Sequence, residues 1–269
     1  MNLKQIRKRI GSVKNTQKVT KAMKLVAAAK LRRSQRAAQA SREYTDALYD
    51  MVLRASQFVG DNPPALMQPR TILTLDLVVF TSDRGLCGGF NENLVKESLR
   101  WREEKVRTDH AVHLVVVGRK GREAFRRRAI ADVTELPHAV SEGDLTPIGR
   151  ELAALLEQRY ISGESDGALL AYNRFHSVGT QKIIVEPLLP FAEMSNEQSK
   201  IDYLYEPSRE ELLESLLQET LLRKCMQALL DSKASEFAAR MRAMDNATKN
   251  ASEMIELLTL LYNRARQAT

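Results

Sequence analysis

The chain has 269 residues, 41 Lys plus Arg against 34 Asp plus Glu, and 43% hydrophobic residues. These values describe an ordinary soluble chain of one or two domains and exclude a disordered tail, a collagen and a disulfide scaffold. Its longest unbroken apolar run is five residues, Leu152 to Leu156, against the roughly 20 that span a bilayer, so no direct membrane insertion is expected. Cys87 and Cys225 are the only cysteines, too few and too isolated for a zinc site or a CxxC pair, and both are expected to be packing residues.

The net charge of +7 conceals a division, because residues 1 to 42 hold 13 Lys and Arg and no acid. Such a segment suits an anionic partner, a carboxylate-rich surface or a solvated helix face, and a transit peptide has the same composition. The helical pattern runs on well past it, without a small-residue cleavage cue. All eight prolines and eleven of the twelve glycines fall between Gly60 and Pro207, which leaves two flanks almost free of helix breakers.

The N-terminal flank, to about Val59, is rich in Ala, Lys, Arg, Gln and Leu, good helix formers, and its one internal breaker is Gly11. Its apolar positions are Leu3, Ile6, Ile10 and Val13, then more weakly Thr20, Met23 and Ala27. Next come the boundary residues Asp61-Asn62-Pro63-Pro64 and a middle segment that alternates in type. Leu73–Thr81, Val112–Val117, Ala168–Phe175 and Lys182–Glu186 read as strands. Phe90–Glu104, Gly121–Arg128 and Pro147–Tyr160 read as helices between them, with Trp101 as a core or helix-face anchor. The alternation implies a mostly parallel sheet with Rossmann-like layering.

After the Glu206-Pro207-Ser208 junction, Ser208 and Glu211 form a capping box that opens the C-terminal flank. There Leu230, Ala234, Phe237, Met241, Met244, Thr248, Ala251, Ile255, Leu258, Tyr262 and Ala265 follow spacings of four and three, a coiled-coil seam. Each flank would make a helix of about 85 to 95 Å at 1.5 Å per residue, and a helix of that length needs a partner. The seams are thin and rich in Ala, Met and Thr, unlike the Leu and Ile seams of parallel homodimers. The expected fold is therefore mixed: a long antiparallel coiled coil of helices 1–60 and 208–269, with a Rossmann-like α/β domain, residues 61–207, inserted between them.

Ser82-Asp83-Arg84-Gly85-Leu86-Cys87-Gly88-Gly89-Phe90 is a Gly-rich turn between strand and helix, a place where phosphates often bind. It is not GxGxxG, and no GxxxxGK[ST] occurs in the chain. A tight structural turn built on Asp83, Arg84, Gly85, Gly88 and Gly89 is the favoured reading, with Asp83 and Arg84 offering a local ion pair. His110, His113, His138 and His176 show no spacing that would pair one with Cys87 as nucleophile and base. No metal-ligand cluster stands out, and no cofactor is expected.

The run from Ile6 through Arg33 (IRKRIGSVKNTQKVTKAMKLVAAAKLRR), the turn TSDRGLCGGFN and the terminal MDNATKNA and LYNRARQA together resemble the gamma subunit of F-type ATP synthases, bacterial type. The three stretches lie in family order and span nearly the whole chain. The resemblance implies a rotating central shaft without a catalytic site of its own, coupling proton or sodium flow through a membrane ring to the catalytic hexamer. The implied partners are the alpha and beta subunits, epsilon and the c-subunit ring, at the cytoplasmic face of the bacterial plasma membrane. By resemblance, the basic helix faces acidic loops of the beta subunits. Lys18, Lys21, Met23, Lys24, Lys30, Arg32 and Arg33 are the candidates for that face, and Arg266 and Gln267 match a family segment that hydrogen-bonds a beta loop higher up. Against the family pattern, the chain ends several helical turns early and lacks the cysteine-bearing insertion of chloroplast relatives. The start at Met1 directly before the motif argues for a bacterial protein and against a transit peptide. Two rival readings are a nucleic-acid binder using residues 1 to 42, which lacks interleaved aromatics, and a dinucleotide oxidoreductase, which lacks the fingerprint.

Overall fold

A computed structural model of the chain describes residues 3–56, 63–136, 143–191, 206 and 208–267. Helix α1 (Leu3–Ser56) leads, through a short 3-10 turn at Ala65–Met67, into β1 (Thr74–Phe80), α2 (Phe90–Val106), β2 (Ala111–Val117) and α3 (Arg119–Arg127). β3 (Val133–Glu135), α4 (Thr146–Ser162), β4 (Gly167–Phe175) and β5 (Gln181–Leu189) follow, and α5 (Arg209–Gln267) closes the chain. The junction residues Asp61, Asn62 and Pro207, and His138, lie outside the described residues.

The two flanks form helices of 54 and 59 residues. The start of α5 carries the expected cap, since the Ser208 Oγ accepts a hydrogen bond from the Glu211 N–H at 3.2 Å. The helices pack antiparallel, as polar pairs along the seam show. Gln17 Nε2 donates to Ser252 Oγ at 2.7 Å, the Thr20 and Thr248 hydroxyls meet at 2.8 Å, and Lys24 Nζ reaches Asp245 Oδ1 at 2.6 Å. Further along, Leu31 packs with Ala234, Phe237 and Ala238, and Arg42 Nη2 meets both oxygens of the buried Asp231 at 3.0 Å. Between Thr20 and Ala27 it is Lys24, paired with Asp245, that occupies the seam. Met23, expected there, sits one position round the helix and is 39% exposed.

The middle of the chain makes a five-stranded sheet in the order β3-β2-β1-β4-β5. All neighbours are parallel except β4 and β5. β3 was not foreseen, because three residues are too short for a period-two pattern. β5 runs three residues past the expected Glu186 and includes Pro187, which an edge strand tolerates because its outward N–H has no partner to lose. One face of the sheet packs under α2 and α3 around Leu77, Val79, Leu94, Leu114 and Phe125. Trp101 is half-buried against that cluster, with Lys105 Nζ 5.6 Å from its ring centre. The other face carries α4, the first half of α5 and the last turns of α1, where Leu152, Leu156, Tyr172, Leu213, Leu217, Leu221 and Cys225 are buried together. Gly118 permits the close turn between β2 and α3, for its φ is +94° and an added Cβ would collide with the Thr81 carbonyl. Thr81 also bonds across this turn, donating to Val117 O at 2.8 Å while accepting from the Gly121 N–H at 2.8 Å.

Two predictions follow from this packing. In Arg42→Leu the Asp231 carboxylate keeps the Gln227 amide, one turn earlier on α5 at 3.2 Å, and loses its cross-seam counter-charge. Stability should fall by about 2 kcal/mol, seen as a lower urea midpoint at unchanged slope. Burial raises the Cys87 thiol above its ordinary pKa and pushes Cys225 up to about 12, so the thiolate that reacts with electrophiles is scarce at pH 8. Titration with an aromatic disulfide reagent should find both thiols slow in the folded chain and fast in denaturant.

Candidate functional site: the basic helix and the glycine-rich turn

The long helix α1 presents its polar residues outward, with Lys18, Lys21, Arg32 and Arg33 exposed. The structure separates the remaining candidates from these four. Lys24 is half-withdrawn into its ion pair with Asp245, which Lys249 also approaches at 3.4 Å. Lys30 lies 6.0 Å from the centre of the Phe237 ring. Arg266 and Gln267 are exposed at the far end of α5. That end is about 30 Å along the helix axis from Asp245 at about 1.5 Å per residue, so one compact surface does not include both sets.

Beside the basic face runs an apolar one that the sequence reading missed. Val19, Met23 and Val26 are 55%, 39% and 52% exposed. With Leu86 of the turn and Phe237 and Arg240 of α5 they line a groove of about 670 Å³. The signal was available, because spacings of four and three put Val19, Met23 and Val26 on one stripe adjacent to the seam. Farther along α5, Met254, Leu257, Leu260 and Leu261 are also exposed, on the side of the helix away from its partner.

The glycine-rich turn is clamped to α5. Buried Glu236 holds Arg240 at 2.7 Å and Lys233 at 3.4 Å, and Arg240 in turn donates to the carbonyls of Arg84 and Gly85 at 3.2 Å. Asp83 does not pair with Arg84. Its Oδ1 accepts instead from the Arg119 N–H at 2.9 Å, while Arg119 Nε donates to the Asp83 carbonyl at 3.2 Å, so the turn is tied to α3 as well. Gly88 is left-handed (φ +60°), which a Cβ would strain, and Gly89 precedes α2. Within the turn Asn91 Nδ2 reaches Ser82 Oγ at 2.8 Å and Cys87 Sγ at 3.3 Å.

These contacts offer little for catalysis. Cys87 is buried, its thiol raised by desolvation, and its polar neighbours are Ser82 and Asn91. His113, half-buried on β2, meets Thr134 Oγ1 on β3 at 2.9 Å, and burial followed by the charge of Arg159 lowers its pKa. Among the described residues no group of three or more His, Cys, Asp or Glu side chains could hold a metal ion, and no helix is long and apolar enough to cross a membrane.

A family model described as ATP synthase matches residues 2–269. The ATP synthase gamma chain of Anaeromyxobacter sp. (strain Fw109-5) is 45% identical over 272 aligned positions, covering 99% of this chain and 93% of the relative. That of Chlorobaculum parvum is 43% identical over the same shares. Among solved structures, a chain of the Tetrahymena thermophila mitochondrial ATP synthase, central stalk and c-ring, superposes with a TM-score of 0.66 at 24% identity, over 85% of this chain and 99% of that one. A chain of the Euglena gracilis mitochondrial ATP synthase rotor gives 0.61 at 19% identity, over 99% and 98%. The two solved chains share the fold, and the bacterial relatives share nearly half the residues along almost the whole length. The chain belongs to the ATP synthase gamma chain family.

Proposed function

We propose that this chain is the central rotor shaft of an F-type ATP synthase, carrying rotation between an ion-driven membrane ring and the catalytic hexamer. The observation that supports this best is the continuity of α5. Its first half is core of the α/β domain and its second half is one strand of the coiled coil. Torque applied at the domain therefore passes into the rod through unbroken backbone hydrogen bonding, with no hinge between them. The subunit is non-catalytic, and the nucleotide chemistry belongs to its partners.

A shaft acts by presenting a different surface to each of three equivalent catalytic subunits as it turns, biasing each between open and closed conformations. Lys18, Lys21, Arg32 and Arg33, with the apolar stripe Val19, Met23 and Val26 beside them, form an asymmetric face for acidic loops of the beta subunits. Lys24 and Lys30 serve that face from inside, Lys24 by joining α1 to α5 through Asp245 and Lys30 by packing near Phe237. Arg266 and Gln267 form a second contact higher on the rod. The other partners are the alpha subunits, which complete the hexamer, and epsilon and the c-ring at the foot, on the cytoplasmic face of the bacterial plasma membrane. The nucleic-acid reading has no comparable support, since two of the basic side chains it would need, Lys24 and Arg42, are already paired across the coil.

Single exposed ion pairs are worth about 0 to 1 kcal/mol, so Lys18→Glu alone should leave the assembled complex nearly normal. Reversing Lys18, Lys21 and Arg33 together to Glu should lower ATP-driven ion pumping in reconstituted vesicles well below the level expected from the remaining hydrolysis. Full pumping per ATP in that variant would remove the charged face from the mechanism. The purified chain should turn over no ATP, while mixing it with alpha and beta subunits should yield a co-eluting particle with multi-site hydrolysis. Failure to co-elute would contradict the shaft assignment.

A further inference from the structure

A cluster of titratable side chains lies near the amino ends of β1 and β2, at the opposite end of the strands from the glycine-rich turn. Asp76 and His113 are register partners on these parallel strands, so they stand side by side on one face of the sheet. Arg159 reaches down to that face from α4. Asp76 is fully buried, and Arg159 occupies both of its oxygens, with Nε 3.0 Å from Oδ2 and Nη2 3.1 Å from Oδ1. The remaining guanidinium nitrogen, Nη1, donates to Glu164 Oε2 at 2.8 Å.

His113 stands between this ion pair and the edge of the sheet. The edge is β3, three residues long, which pairs with β2 on one side only. Besides that short ladder, the Leu114 N–H donates to the Asp132 carbonyl at 2.9 Å and the Leu136 N–H to the Val116 carbonyl at 3.2 Å. Val133 and Leu136 supply its apolar contacts. Two side-chain contacts complete the attachment, one on each face. Toward α3, Glu135 Oε1 accepts from Arg126 Nε at 2.7 Å, an exposed pair that contributes little. Toward α4, Thr134 Oγ1 meets His113 Nε2 at 2.9 Å in half-buried surroundings.

A proton on His113 disturbs this arrangement. The charged groups facing the ring are Asp76 from β1, Arg159 from α4, Glu164 just after α4 and Asp132 just before β3. Asp76 and Glu164 are already held by Arg159, and Asp132 is exposed, where solvent and salt screen its pull. Burial first, and the Arg159 charge second, hold the pKa of His113 below the usual histidine value against the pull of the three acids. The closed arrangement therefore prefers the uncharged ring. Its stability is complete above the usual histidine value and falls as pH drops below that value toward the lowered one. We propose that His113 is a pH-sensitive latch on the edge of the sheet. Uncharged, it holds β3 in place; protonated, it moves away from Arg159 and frees β3. Release uncovers Val133, Leu136 and the backbone edge of β2, a template on which another strand can pair. The latch is separate from the basic face of α1, and its test does not depend on the shaft assignment.

Amide hydrogen exchange of the full chain tests this between about pH 7.5 and about pH 5.5, the range in which histidine changes charge, with rates corrected for the pH dependence of intrinsic exchange. Residues 131–136 and the β2 amides that face them should lose protection on acidification, while the pairing of β1 with β4 stays protected. The ring of His113, followed by NMR, should titrate with the same midpoint as that loss. His113→Gln places an amide nitrogen near the position of Nε2 but takes up no proton, and its protection at residues 131–136 should be equal at both ends of the range. His176→Gln, which alters an exposed histidine between β4 and β5, should behave as the parent chain does. If His113→Gln does not fold, the coincidence of the two midpoints in the parent chain still decides. The proposal is overturned by protection at residues 131–136 that does not change with pH in the parent chain, by an equal loss in His113→Gln, by a ring midpoint separate from the loss, or by abolition of the loss in His176→Gln.

Discussion

Everything in this molecule depends on the antiparallel pairing of α1 with α5. Each helix runs for more than fifty residues, and helices in proteins gain most of their stability from tertiary packing of one face. The pairing is thin in the upper part, where Thr20, Ala27, Thr248 and Ala251 supply little buried area. Small side chains bring the backbones close, and polar groups then fix what hydrophobic bulk would otherwise decide. Gln17 with Ser252, Thr20 with Thr248, Lys24 with Asp245 and Arg42 with Asp231 each tie one level of α1 to one level of α5. A slip by one helical turn would leave the Asp231 carboxylate buried without its guanidinium, a cost far above that of a misplaced Ala.

The same pairing determines how the α/β domain is mounted. Residues Leu213 to Leu229 of α5 lie in the core under the sheet, together with Val52 and Ala55 from the end of α1. The domain is thus built around the base of the coil and is not hung from it by a linker. Arg240, about three turns beyond Leu229, grips the glycine-rich turn through two carbonyls while Glu236 grips Arg240. These contacts make the turn part of the rod's surface, next to the groove that Met23 and Leu86 share.

Much of this was legible in the residues. The absence of Gly and Pro from both flanks marked the helices, because those two residues are the ones a helix interior penalises most. The four-and-three spacing from Leu230 to Ala265 marked the seam, and runs such as Leu73–Thr81 marked the parallel strands. What stayed hidden was of a different kind. Three-residue β3 has no period to detect, and Pro187 ended the reading of β5 early because its tolerance depends on being at a sheet edge. Whether Met23 or Lys24 faces the partner helix turns on a rotation of one residue, which the counter-charge at Asp245, 221 positions away, decides. Asp83 chose Arg119 over its neighbour Arg84, and Arg240 chose the turn carbonyls, through folding that no local pattern encodes. The exposed stripe Val19, Met23 and Val26 was readable at helical spacing, but it was masked by the stronger basic signal around it.

The most direct test of the shaft assignment is a reversible lock between this chain and one catalytic subunit. Met23→Cys, in a background where Cys87 and Cys225 are replaced by Ser, would be oxidised to a cysteine engineered in the facing beta loop of the assembled complex. Steady-state ATP hydrolysis should stop on cross-linking and return on reduction, although no catalytic group has been touched. Undiminished hydrolysis in the fully cross-linked complex would contradict rotation of the shaft at that level.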